Sequence, residues 1–381
     1  MSGIRVGLLD GIVAGRPAAD SLTTASYLTA VASGMNSFWV PDHLNSLFPR
    51  ALWQPKYCGA ARLLPSADAY LEPWTMLGRL ASRNRLRRME LGIGVTDAGR
   101  RNPAVTAQGA ATVNLLTKGR FILGVGPGER EGNAPYGVDW SKPVARFEEA
   151  LATIRALWDS KGELVNRDSE FFPLRNAIFD LPPYRGKWPP IWVAAHGPRM
   201  LKIAGRYGDG YFPGFPHTPQ EYAQRLDVVR SAASDAGRDP MSITPAVCLS
   251  VFVARTEAEL DEVLGCDIAR AGALLASDEY FAQRGGQHPL GVGFSGAQDV
   301  LPQEWDEQTA LSHTKGITPD VMRDMGLIGT PAEILERAAQ WRDCGIRHFV
   351  LINGTMLQPS LRKGLAAQGL FVQVARGLKK L

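Results

Sequence analysis

The sequence predicts an α/β fold of the (β/α)8 TIM barrel class, and three observations carry that reading. Short apolar and β-branched runs recur along the chain with helical patterns between them, as expected of parallel strands joined by crossover helices. Eight such runs can be counted, the number that closes a barrel. The 381 residues suffice for one barrel, and no Ser-, Gly- or Pro-rich linker and no short-period repeat divides them, so residues 1–381 read as a single domain.

The predicted strands are residues 4–9, 37–41, 89–95, 121–125, 191–195, 210–212, 246–254 and 348–353. Helix starts between them are legible. Thr218-Pro219-Gln220-Glu221 and Thr330-Pro331-Ala332-Glu333 each place a Thr cap, a Pro at the first helical position and a Glu three residues after the cap. Asn102-Pro103 opens a helix in the same way, and Gly345 reads as a left-handed terminator before the last strand. The stretch of about 257–319 does not fit one strand plus one helix, because Gly285-Gly286, Gly291 and Gly293 fall among short helical pieces. It reads as an insertion before the last helix and strand.

Composition excludes several classes. With 42 basic and 38 acidic residues, a net charge of +4 and charges in short mixed groups, no continuous field for nucleic acid is present. The apolar run near the start is interrupted by Asp10 and is too short for a signal peptide or a spanning helix. A cytoplasmic protein without an integral membrane segment is expected. Cys58, Cys248, Cys266 and Cys344 form no C-x-x-C pair and have no histidine at ligand spacing, so they read as ordinary buried thiols and no metal site is expected.

Barrel enzymes carry their chemistry at the C-terminal ends of the strands. Asp10 ends the first predicted strand, Asp42-His43 the second and Thr96-Asp97 the third, and Glu129 follows the fourth. Capping explains one such residue, not the set. A lone histidine is more often structural, but His43 beside Asp42 at a strand end reads as catalytic. His217, His288, His313 and His348 sit in no motif and are assigned no role.

Gly124-Val125-Gly126-Pro127-Gly128 has Glu129 where a dinucleotide fingerprint needs its third glycine, so a Rossmann reading fails. Such glycines instead let backbone approach a flat ring or a phosphate. Ala194-Ala195-His196-Gly197-Pro198-Arg199 leads a strand into a helix whose amides would attract a phosphate; a turn without a ligand is the alternative. Residues 44–57 carry Phe48, Trp53 and Tyr57 with only Arg50 and Lys56 charged. They read either as a loop folded over the core or as a lip receiving a lipid chain, with Phe48 and Trp53 as substrate contacts.

Pro41-Asp42-His43, the run from Asn102 to Gln108, the loop 124–129 and the turn 194–198 together resemble the luciferase-like, F420-dependent oxidoreductases, over nearly the whole chain. A narrower likeness lies in Thr96 to Pro103, Gly128 to Asn133, Pro135-Tyr136-Gly137 and residues 142–158, 179–188 and 376–381. It is to the branch of that family that reduces a keto group on a very long diol lipid. The resemblance implies coenzyme F420 as hydride donor and a long-chain lipid ketone as substrate. It implies His43 as proton donor or acceptor with Glu129 as its partner. It places Asp42, Gly94, Val95, Thr96, Pro127, Gly128, Asn133, His196, Gly197, Arg199 and Met200 around the deazaflavin, with a non-proline cis peptide at Gly94-Val95. Gly214-Phe215-Pro216-His217 departs from the sugar-phosphate branch, and so does the first strand, where Asp10 is the nearest acidic residue to that branch's glutamate. An FMN-dependent monooxygenase and a noncatalytic lipid-binding barrel remain the alternatives, and a homodimer is left open.

Overall fold

A computed structural model describes residues 3–11, 20–84, 89–214 and 218–381; Phe215 to His217 lie outside the described residues. The strands are β1 (Arg5–Leu9), β2 (Ser37–Val40), β3 (Glu90–Asp97), β4 (Phe121–Gly126), β5 (Val165–Arg167), β6 (Leu174–Ala177), β7 (Ile191–Val193), β8 (Gly210–Tyr211), β9 (Thr244–Val253), β10 (Gly326–Gly329) and β11 (His348–Asn353). Eight of them run in the order β9-β11-β1-β2-β3-β4-β7-β8, and a β8–β9 pairing closes the ring. All pairings in it are parallel. The eight predicted runs are these eight strands.

Two features differ from the expectation. β10 pairs with Ser250 to Val253 of β9, beyond the point where the two-residue β8 has stopped. It thereby covers the upper edge of the long β9. β5 and β6 form a separate antiparallel hairpin whose residues are all exposed or half-buried. Arg167 and Arg175 interrupt its short strands, so no alternating apolar signal marks it.

The caps follow the sequence. Thr218 with Glu221 and Thr330 with Glu333 both form capping boxes, and Asn102 Oδ1 accepts from the amide of Ala104 at 2.9 Å. Between β9 and β10 lie the short helices Glu257–Leu264, Asp267–Ala271, Asp278–Ala282, Glu307–Thr314 and Pro319–Arg323, which pack into two apolar clusters, one with Phe252 and Ile328 of the barrel edge and one with Leu52 and Trp53. Among the described residues no helix is long and apolar enough to cross a membrane. All four cysteines are free.

Trp39, Trp192 and Phe212 fill the barrel interior, with ring centroids 5.0 to 5.5 Å apart. Gly92 makes room for the indole, since a Cβ there would fall 2.2 Å from Trp39 Cε3. At the N-terminal end Ser37 Oγ accepts from Trp39 Nε1 and bonds His348 Nε2, each at 2.8 Å. Burial pushes His348 down to about 3, so it is a neutral structural histidine. This packed plug leaves the opposite, C-terminal mouth as the place for chemistry.

Candidate active site

His43 follows β2 at the mouth, with its side chain 18% exposed. Its Nδ1 lies 3.1 Å from Glu131 Oε1, and Glu131 is wholly buried. One ligand atom from each of His43, Glu129 and Glu131 falls within a 4.8 Å cluster. Burial alone would lower the imidazole pKa, but the Glu131 hydrogen bond and the charges of Glu129 and Glu131 outweigh it and hold His43 at about 9. Burial is also the main cause that lifts Glu129 to about 7, with the nearby Glu131 and Asp97 adding to it and His43 opposing.

Glu129, the expected partner, lies in the same cluster as His43, and a second carboxylate joins it. The carboxylate that bonds His43 is Glu131, while Glu129 acts on it through space. Glu131 escaped sequence reasoning because it sits two residues beyond the glycine-rich loop, inside the short 3-10 turn Arg130–Gly132. The only available signal was a second acid beside Glu129.

Asp42, expected beside the coenzyme, is buried just after β2. Its carboxylate, 2% exposed, accepts from Thr96 Oγ1 at 2.6 Å, from Arg100 Nη2 at 2.7 Å and from Arg101 Nε and Nη2 at 3.0 and 3.1 Å. Burial works against the charge, yet the two guanidiniums and the hydroxyl win and lower the pKa. Both oxygens are committed within the protein, so Asp42 and Thr96 form a brace beside His43.

A second brace joins the ends of β3 and β4. Asp97 Oδ1 accepts from the amides of Gly99 and Arg100 at 2.7 and 3.0 Å. Asn133 Nδ2 bonds Asp97 Oδ2 and also the carbonyl of Glu129, the latter at 2.8 Å. Gly128 has φ +88°, and a Cβ on it would fall 2.1 Å from Asp97 Oδ2, so only glycine fits. Pro127 and Gly128 are half-buried beside it. The non-proline cis peptide expected at Gly94-Val95 is present, where the β3–β4 register shifts.

The turn after β7 presents the N-terminus of the helix Pro198–Tyr207, whose cap residue Gly197 adds no side-chain bond. Arg199, 60% exposed, reaches back to Glu148 at 3.0 Å. Met200, in the first turn of that helix, is buried in the main core. His196 is half-buried, and burial with the charge of Arg225 lowers it to about 4.

Trp53 is folded into the protein. Its indole is 5% exposed, donates to the Leu64 carbonyl at 2.6 Å, and packs in a satellite core with Ile268, Ala271 and Ala310 of the insertion. Phe48 is half-buried at the margin of the same cluster. Asp10 at the end of β1 accepts from Ser26 at 3.3 Å, and burial lifts it to about 7.

Residues 22–348 match the family model described as luciferase-like monooxygenase. The chain belongs to this family. Within the luciferase-like family it is similar to the phthiodiolone/phenolphthiodiolone dimycocerosates ketoreductase of Mycobacterium sp. (strain JLS), 66% identical over 381 residues and covering 100% of both chains. The protein of that name from Mycobacterium kansasii is 55% identical over 361 residues, 94% of this chain and 98% of the relative. A solved F420-dependent secondary alcohol dehydrogenase, in complex with an F420-acetone adduct, shares the luciferase-like fold with a TM-score of 0.73 at 21% identity, covering 98% of each chain.

Proposed function

We propose that the protein is an F420-dependent ketoreductase that reduces the keto group of phthiodiolone and phenolphthiodiolone dimycocerosates, with His43 as the proton donor. The observation that carries this reading is the His43, Glu129 and Glu131 cluster at the barrel mouth. Full-length identity of 66% to a relative with that named activity supports the substrate class.

The residues present fit the coenzyme. Gly197 opens a helix end with no side-chain cap, and a Cβ there would meet nothing within 4 Å. Backbone amides at such an end suit a phosphate, and Arg199 adds a positive charge. Inside the mouth Asn133 Oδ1 is buried without a hydrogen-bond partner among the described residues, an acceptor fit for a ring N–H. Gly94, Val95, Pro127, Gly128, His196 and Met200 would frame the ring through backbone and shape. Asp42 and Thr96 would hold that frame from behind.

When bound, reduced F420 supplies the hydride. His43 donates a proton to the oxygen that becomes negative at the former carbonyl. A pKa of about 9 keeps the imidazole charged and ready at neutral pH. Glu129, at about 7, stands close enough to return a proton afterwards. The half-buried Phe48 meets the lipid chain. The chain works as one unit across 1–381 in the cytoplasm.

Titrating the purified protein with F420, FMN and NADPH tests the reading. Selective binding of F420 is expected; tighter binding of FMN would favour a monooxygenase. Full ketone turnover by His43→Ala would remove His43 as the proton donor, and lipid binding with no turnover by the wild-type protein would leave only a lipid-binding barrel.

A further inference from the structure

We propose that Glu131 is a positioning residue for this reaction: it holds the Nδ1 side of His43 and leaves Nε2 as the nitrogen that faces the substrate carbonyl. The inference rests on the ketoreductase reading for its catalytic meaning, but the pairing itself is a property of the chain.

The geometry points one way. Glu131 is wholly excluded from water, and its Oε1 is 3.1 Å from His43 Nδ1. Its Oε2 has no partner among the described residues. A buried carboxylate with one oxygen unsatisfied costs stability unless a nearby positive charge offsets it. His43 is the group in contact that can supply that charge. Glu129 differs, because it makes no hydrogen bond to His43 and sits half-buried at the rim.

Nor is Glu131 needed to hold its own turn. Arg100 Nη1 donates to the Gly132 carbonyl at 3.3 Å and Asn133 Nδ2 to the Glu129 carbonyl at 2.8 Å. These bonds fix both sides of the turn without the Glu131 side chain. A loss of its charge is therefore expected to act on His43 and not on the fold.

The consequence for the proton step is specific. With Nδ1–H held by Glu131, the proton leaves from Nε2 to the alkoxide oxygen, and the imidazole is left neutral in the Nδ1–H form. The charged and titratable groups around the pair are Glu129, Arg100, Tyr70 and Tyr136, with Asp97 acting on Glu129 and with Asp68 and Asp10 acting on Tyr70. Arg100 opposes protonation of His43 and Glu129 favours it, so the Glu129 arm is the necessary control.

The test is an NMR titration of the His43 ring in the full chain without cofactor, assigned with His43→Ala, for wild type, Glu131→Gln, Glu131→Asp and Glu129→Gln. The His43 midpoint is expected to fall by more than about one pH unit in Glu131→Gln and by less in Glu129→Gln. Glu131→Asp, which keeps the charge, is expected to retain a raised midpoint. Alongside, kcat for ketone reduction in Glu131→Gln is expected to drop about 100-fold with KM nearly unchanged and the alkaline limb moved to lower pH. A wild-type midpoint in Glu131→Gln, or a larger fall in Glu129→Gln, overturns the proposal. So does a Glu131→Asp midpoint no higher than that of Glu131→Gln. Because the titration needs neither coenzyme nor ketone, a correct pairing in a protein that fails to reduce ketones would sink the functional reading alone.

Discussion

Arg101 grips Asp42 with a two-pronged contact, Nε to Oδ2 at 3.0 Å and Nη2 to Oδ1 at 3.1 Å. The carboxylate so held is the residue immediately before His43, and it is 2% exposed. Breaking a buried pair by removing one charge leaves the other uncompensated. Asp42→Asn is therefore expected to lower unfolding stability by about 3 kcal/mol, seen as a lower denaturant midpoint. Stability equal to wild type would show that the brace contributes little.

Gly128 and Asp97 set a steric limit on the second brace. Gly128→Ala combines φ +88° with a Cβ 2.1 Å from Asp97 Oδ2, and is expected to cost about 1–3 kcal/mol. Displacing Asp97 also releases Asn133, so F420 affinity should fall. An alanine variant with unchanged melting and unchanged F420 affinity would refute the fit.

Loop 44–57 separates stability from specificity. Trp53→Ser removes a buried indole and its bond to Leu64, and should cost about 3–5 kcal/mol. Phe48→Ser should cost much less and should instead reduce kcat/KM for long-chain ketones while sparing short ones. Steady-state kinetics over a chain-length series check this; an unchanged preference removes Phe48 from the substrate site.

Stability should depend on pH through Asp10. Its folded pKa, about 7, lies above the ordinary 3.8. A raised carboxyl contributes stability below the ordinary value and loses it as pH rises through the folded one. His43, raised to about 9 from 6.5, likewise contributes below 6.5 and loses that contribution as pH climbs through 9. Melting temperature is thus expected to fall from about pH 4 to about pH 9, and Asp10→Asn to flatten the part of that slope below about pH 7. A slope unaffected by Asp10→Asn would contradict the assignment.

Much of this was legible in the chain because the signals were local. Each of the eight barrel strands is a short apolar run, and the caps at Thr218 and Thr330 are written in four residues. His43 was marked by its strand end. Partners were harder, because they depend on how loops fold back. Nothing local to Asp42 tells that Arg100 and Arg101, 58 and 59 residues away, take up both its oxygens. Glu131 reaches His43 across 88 residues, and Trp53 meets an insertion more than two hundred residues later. β10 was missed for a related reason: it is a strand only because β8 ends early and leaves an edge of β9 to be paired.

Turnover tests the central claim most directly. Purified protein is mixed anaerobically with reduced F420 and phthiodiolone dimycocerosates, and F420 oxidation and the lipid alcohol are followed together. Equal amounts of oxidised F420 and alcohol are expected, with a rate about 100-fold or more lower in His43→Ala. No alcohol with reduced F420, alcohol formed instead with reduced FMN, or a wild-type rate in His43→Ala would contradict the account.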